Sequence, residues 1–137
     1  MIFYMDSCAL IKLIKSESES AALRAWMKGL GAEDAMATSE LTELELTRTL
    51  TRHGYSAEEA SERVNSTLDL LGVVEYTRVV LRTAISYRIQ RLGTLDSIHL
   101  ATAELFRFQL GAFVTYDKEL TAAAEHQGLQ VIAPGAA

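Results

Sequence analysis

Residues 2–14 read Ile2-Phe3-Tyr4-Met5-Asp6-Ser7-Cys8-Ala9-Leu10-Ile11-Lys12-Leu13-Ile14 (IFYMDSCALIKLI). Ile2 to Met5 is a short continuous apolar run suited to a buried strand, whereas the apolar residues from Ala9 to Ile14 fall at helical spacing. The segment is one strand handing over to a helix, with an acid, Asp6, at the junction. Such a step is the unit from which parallel sheets covered on both faces are built.

Working outward, the same step recurs. Ser16 to Ser20 (SESES) is a polar break that can cap a helix through Ala21, Leu23, Trp26 and Met27, ended by Gly29 and Gly31. Ala35 to Thr38 reads as a strand, followed by a helix from about Ser39 to His53 that Gly54 stops. Ser56 and Glu59 form a capping box for a helix through Leu71. Val73, Val74 and Tyr76 suggest a third strand, then Val79 to Leu92 a helix with Gly93 at its C-terminal end. Thr94 is placed to cap the next helix, through about Phe108, with Ile98, Ala101, Leu105 and Phe108 as buried positions. Ala112 to Tyr116 is the fourth strand, Lys118 to His126 a helix, and Leu129 to Ile132 the fifth strand. The pattern predicts an α/β fold: one domain over residues 1–137, with a central parallel sheet of about five strands and helices on both faces. Residues 133–137 (APGAA) are expected to fray.

Bulk properties narrow the function. The chain has 137 residues, close to half of them hydrophobic, and a net charge of -5, so no broad basic face coats nucleic acid. Cys8 is the only cysteine, which excludes an intramolecular disulfide and suits a reducing cytoplasm. No apolar run approaches a membrane span, and a cytoplasmic location without membrane contact is expected.

Four acids stand where strands hand over to helices or in the helices that follow: Asp6, Glu45, Asp96 and Asp117. An open parallel sheet binds ligands beyond the carboxyl ends of its strands, so acids far apart in sequence would meet there. Two carboxylates 4 Å apart repel by roughly 4 kcal/mol at intermediate dielectric. A cluster of four therefore implies bound divalent cations or raised pKa values. Each acid also has a plain structural reading. Asp6 and Asp117 are helix caps, Asp96 suits the positive end of its helix, and Glu45 lies three residues after Thr42, at capping-box spacing. Ser7 and Thr115 are hydroxyls beside two of the acids. His99, one turn past Asp96 on an apolar helix, reads as a packed, hydrogen-bonded histidine, and His53 and His126 as helix-end cations. No zinc spacing, glycine-rich phosphate loop or nucleophile elbow is present. A haloacid-dehalogenase phosphatase would need an aspartate where Cys8 stands, and a receiver domain an acidic pair after the first strand.

YMDSCALIKL, SELTELEL, LDSIHLATA and FVTYDKEL, in that order and at those intervals, resemble the motifs of the PIN-domain ribonucleases. Within that family the chain is similar to the VapC toxins of toxin–antitoxin pairs. The resemblance implies an Mg²⁺- or Mn²⁺-dependent endoribonuclease whose acidic quartet is Asp6, Glu45, Asp96 and Asp117, supported by Ser7 and Thr115. It implies that Asp6, Asp96 and Asp117 hold metal while Glu45 orients the attacking water, and that partners are RNA, a VapB-type antitoxin and a second copy of the chain. Tyr116 stands where many relatives carry asparagine. The alternatives are a PIN nuclease of RNA processing or of DNA, and a non-catalytic PIN-like scaffold. Lys12, Lys15, Arg48 and Arg52 are candidates to flank the groove, although a solvated helix face suits most of them.

SELTELEL offers three glutamates, and at about 100° per residue Glu45 points away from both Glu40 and Glu43. Family spacing selects Glu45, which Leu41 and Leu44 are expected to sink toward the sheet edge. Glu40 and Glu43 are expected to face solvent or to support the helix start.

Overall fold

The chain begins with the strand β1 (Ile2–Met5), whose side chains alternate between two cores. Tyr4 belongs to one apolar cluster and Met5 to another, with Ile2 and Phe3 packed against the same two in turn. A strand apolar on both faces must lie in the middle of a covered sheet. The structure is a computed structural model and describes residues 1–136. After β1 come α1 (Ser7–Ile14), α2 (Ser20–Lys28), β2 (Ala35–Ser39), α3 (Leu41–Arg52), α4 (Ala57–Leu68), β3 (Gly72–Val74), α5 (Arg78–Ser86), α6 (Thr94–Glu104), β4 (Leu110–Val114), α7 (Lys118–His126) and β5 (Val131–Ile132).

The five strands lie in the order β3-β2-β1-β4-β5, and every pair is parallel. The chain steps outward from β1 to β3, then returns to the other side of β1 for β4 and β5. Strand order thus reverses between β1 and β4, where their carboxyl ends open a crevice. Leu10, Leu23, Leu46, Leu50 and Val64 of α1 to α4 join Met5 and Val114 on one face. Leu100, Leu120 and Ala123 of α6 and α7 join Tyr4 and Phe113 on the other. The expected sheet of about five parallel strands with helices on both faces is the observed one.

Several element ends differ from the sequence reading. The helix expected over Val79 to Leu92 stops at Ser86, because Tyr87 turns to an extended conformation and bonds Glu104 of α6. Tyr87, Ile89 and Leu92 then pack against the core beside α6, so tertiary burial outweighs helical propensity. Gly93 caps the start of α6 rather than ending α5, its carbonyl accepting from Ser97 N–H at 2.9 Å, and Thr94 is the first helical residue. α6 ends at Glu104; Phe108 is 96% exposed and Leu105 is exposed, so neither is core, while Ile98 and Ala101 are buried. The Ser56 and Glu59 box forms as expected. The Thr42 and Glu45 spacing does not cap α3: Thr42 is buried and pairs with Thr38 Oγ1 at 2.7 Å, whose hydroxyl donates to the Met5 carbonyl at 2.7 Å. Ser39 Oγ accepts from Leu41 N–H instead, at 3.1 Å.

Residues 133–136 of the tail make two hydrogen bonds. The Tyr116 hydroxyl donates to the Pro134 carbonyl at 2.8 Å, and Ala136 N–H to Ala133 at 3.0 Å. Gly135 has φ +84, and a Cβ there would lie 2.5 Å from the Ala22 Cβ. Ala137 lies outside the described residues. No helix among the described residues is long and apolar enough to cross a membrane.

Where β1 meets β4 the register shifts between Ile2 and Phe3. A Cβ on Gly111 would lie 2.6 Å from Phe3 Cε1, and that ring is held edge-on against Trp26 at 5.2 Å. Gly111→Ala is predicted to destabilise the fold by about 1–3 kcal/mol, as overpacking against a held, half-buried ring does. An unchanged urea midpoint would show that the Phe3 ring is free to move aside.

Candidate active site

The crevice at the strand reversal is bordered by the turns that follow β1 and β4. Asp6 is extended (φ -83, ψ 177), which lets its side chain cap α1: Ala9 N–H donates to Oδ1 at 3.0 Å. Asp117 caps α7 in the same way, its Oδ1 accepting from Leu120 N–H at 2.8 Å. The plain cap reading of both aspartates is therefore met, yet each carboxylate has further lone pairs. Thr115 laces the two turns together. Its hydroxyl donates to Asp6 Oδ2 at 2.6 Å, and its oxygen accepts from Asp117 N–H at 3.1 Å. The Cys8 thiol lies 3.2 and 3.1 Å from the two Asp6 oxygens and takes the Tyr116 N–H at 3.3 Å.

Asp96 stands in the first turn of α6, half-buried, with its carboxyl pushed up to about 6 by burial and by the charges of Asp117, Asp6 and Glu45. Asp6, 2% exposed, is also raised, chiefly by burial, against the opposing effects of His99 and of hydrogen bonds from Thr115, Cys8 and Ala9. Four acids from four separate segments thus share one electrostatic field. Burial pushes the Cys8 thiol up to about 12, and the Asp6 charge adds to it, so this cysteine is not a thiolate nucleophile.

Glu45 reaches the same crevice from α3, with Oε1 2.6 Å from His99 Nε2. The other ring nitrogen of His99, Nδ1, lies 2.6 Å from the Tyr4 hydroxyl. His99 is the packed, hydrogen-bonded histidine that its helix suggested, and its partners are the new element. Burial opposes the imidazolium; the Glu45 hydrogen bond and the charges of Glu45, Asp6 and Asp96 favour it and prevail, so its pKa is raised. Leu44 does not help to sink Glu45, because it is 61% exposed; the buried side of α3 is made by Thr42, Leu46 and Leu50. Glu43 faces solvent. So does Glu40, whose Oε1 accepts from Tyr76 N–H at 2.6 Å and so ties the end of β3 rather than the helix start.

Ser7, Glu45, Arg48, Arg52, Leu41 and Leu95 line a groove of about 270 Å³ beside the acids. Of the four cations named from the sequence, Arg48 and Arg52 border it. Lys12 is buried instead, bound to Glu17 at 3.0 Å and Glu19 at 3.1 Å, with its ammonium 4.6 Å from the centre of the Tyr116 ring.

Among the described residues, no three His, Cys, Asp or Glu side chains converge closely enough to hold an ion as they stand. The donors nevertheless fit a hard divalent cation. They are carboxylate and hydroxyl oxygens, and burial first, then the neighbouring acids, disfavour the Asp96 charge, so added positive charge would be favoured there.

Sequence reasoning missed Tyr4 and Cys8 as members of the site. The alternation along β1 places Tyr4 under α6, on the His99 side, which was a readable signal. For Cys8, only its position two residues after Asp6 pointed there.

Comparison with known proteins agrees with this geometry. The profile of the PIN domain family matches residues 3–126. Ribonuclease VapC47 of Mycobacterium tuberculosis (strain CDC 1551 / Oshkosh) is 40% identical over 138 residues, covering 98% of each chain. Ribonuclease VapC35 of Mycobacterium tuberculosis (strain ATCC 25618 / H37Rv) is 41% identical over 138 residues, covering 99% of each. Among solved structures, VapBC2 from Rickettsia felis, bound to a DNA fragment from its promoter, matches with a TM-score of 0.76 over 98% of this chain and 99% of that one. At 13% identity it speaks to the fold alone. A family profile over most of the chain and relatives aligned from end to end lead to one conclusion: the chain belongs to the PIN-domain family and, within it, to the VapC proteins.

Proposed function

We propose that the chain, as one PIN domain over residues 1–137, is an Mg²⁺- or Mn²⁺-dependent endoribonuclease that acts as the toxin of a toxin–antitoxin pair. The observation that carries this reading is the placement of Asp6, Asp117, Asp96 and Glu45 about the strand reversal, where burial and the neighbouring acids raise the Asp96 carboxyl. The ribonuclease names of the full-length relatives support the substrate class. A VapB-type antitoxin and a second copy of the chain are the proposed protein partners, the first supported by the shared fold of the VapBC2 structure. The exposed apolar side chains of Leu105 and Phe108, just past the end of α6, favour the second. The cytoplasm is the proposed location, consistent with a single half-buried cysteine.

In this reading Asp6, Asp96 and Asp117 hold the metal, and Ser7 and Thr115 support them. A bound divalent cation would lower the pKa of the attacking water and balance charge on the substrate phosphate. Glu45 orients that water and takes its proton as the new P–O bond forms and the bridging oxygen leaves. Thr115 keeps one Asp6 oxygen fixed. Arg48 and Arg52 sit where a neighbouring phosphate would pass, which gives an acidic chain a local hold on a polyanion.

Three outcomes test this. Expressed without a partner, the chain is predicted to arrest bacterial growth, and Asp96→Asn to relieve the arrest; a folded Asp96→Asn variant that remains toxic would remove the acid cluster from the mechanism. Glu45→Gln is predicted to slow cleavage at least about tenfold while Glu43→Gln stays near wild type; the reverse order would mean that the wrong glutamate serves the site.

The third concerns stability. The folded-state pKa of Asp96, about 6, lies above that of an unfolded-chain aspartate, about 3.9. Its contribution is therefore fully present below the unfolded value and is lost as pH rises through about 6. Asp96→Asn should raise the melting temperature at about pH 7.5 and lose that advantage below about pH 4. A lower melting temperature at the higher pH would contradict the crowding.

A further inference from the structure

Glu45 is the only one of the three glutamates in residues 40–45 that buried side chains support from beneath. His99 is 1% exposed and Tyr4 is completely buried, and both are polar at their reactive ends. Buried polar groups cost stability unless they are paired, and an apolar pair of similar shape would fill this part of the core without that requirement. Here the pairing runs outward in one direction: Tyr4 hydroxyl to His99 Nδ1 at 2.6 Å, then His99 Nε2 to Glu45 Oε1 at 2.6 Å. The chain joins β1, α6 and α3, residues 95 and 54 positions apart in sequence.

We propose that His99, held by Tyr4, is the positioning residue that fixes the Glu45 carboxylate at the edge of the crevice, and so selects Glu45 over Glu40 and Glu43 for the reaction. The inference rests on the nuclease reading above and adds to it the device that orients the water-activating group. The Tyr4 hydroxyl has His99 Nδ1 as its hydrogen-bond partner at 2.6 Å, and the geometry suits a phenol hydrogen donated to that nitrogen. The Glu45 carboxylate can only accept, so His99 Nε2 donates to it whether or not the ring carries a second proton. One Glu45 oxygen is thereby occupied and the side-chain rotamer is set, while the other oxygen stays available to water. Supporting groups that orient a reactive side chain in this way are typically worth about 10–100-fold in activity.

Amide side chains separate this role from simple core packing. Glutamine at 99 can place an N–H near the Nε2 position and keep the bond to Glu45; asparagine is too short to do so. With total bacterial RNA as substrate, under single-turnover conditions and saturating Mn²⁺, His99→Asn is expected to lose at least about tenfold in cleavage rate. His99→Gln should recover most of that loss, and Tyr4→Phe should fall between wild type and His99→Asn. Calorimetric titration should give all three variants the Mn²⁺ affinity of wild type, since the network does not include Asp6, Asp96 or Asp117. In the ¹⁵N-edited NMR spectrum of the wild-type imidazoles, the hydrogen-bonded Nε2 proton of His99 should be visible, and Glu45→Gln should shift it. His99→Asn cleaving at the wild-type rate overturns the proposal, as does His99→Gln failing as badly as His99→Asn, or the three variants losing Mn²⁺ affinity together. Should the asparagine variant fail to fold, Tyr4→Phe at the wild-type rate overturns it equally. If Asp96→Asn and Glu45→Gln are inactive while His99→Asn is not, the positioning role alone falls. If Asp96→Asn and Glu45→Gln both cleave as wild type does, the nuclease reading falls and the positioning role with it.

Discussion

Negative charge held at close quarters is the constraint around which the crevice is built. Strand order reverses between β1 and β4, so the turns after those strands open side by side, and each turn starts a helix with an aspartate cap. The Thr115 hydroxyl on Asp6 then locks the two turns to one another. Asp96 enters from α6 and Glu45 from α3, and burial together with the local field lifts the Asp96 carboxyl to about 6. Folding energy comes from the two apolar layers on either face of the sheet, and it sustains this repulsion at the open edge. In the proposed nuclease, a bound cation would offset this crowding.

The caps show why a structural reading and a functional reading of one residue need not compete. Asp6 and Asp117 satisfy orphan amides of α1 and α7, and that bond fixes where their remaining lone pairs point. Glu45 has no such backbone anchor within α3. It depends on a side-chain partner 54 residues away. A single hydrogen bond from a buried histidine thus takes the place of the helix cap as the means of holding an acid in place.

Much of this was legible in the sequence, because the handover from strand to helix marks both the sheet and its carboxyl edge. IFYM followed by Asp6, and Phe113 and Val114 followed by Thr115 and Asp117, carry strand, turn and cap within a few residues. What was not legible depends on contacts between distant segments. Tyr87 leaves the helical path because its ring and hydroxyl reach α6, and no local propensity encodes that. Phe108 fits the helical period of a buried position, yet α6 has already ended, leaving it on the surface. Leu44 likewise obeys the apolar pattern and lines the exposed lip of the groove. The composition of the tail likewise gave no sign that the Tyr116 hydroxyl reaches the Pro134 carbonyl.

The central claim is that the crowded acids form a divalent-cation site in competition with protons. Calorimetric titration of Mn²⁺ into the purified chain at several pH values tests it most directly. Saturable binding is expected at about pH 7.5, weakening by about tenfold for each pH unit below about 6 as Asp96 takes up its proton. Loss of that binding is expected in Asp96→Asn. A wild-type chain that binds no Mn²⁺ at about pH 7.5, or an Asp96→Asn variant that binds it as tightly as wild type, would contradict the account.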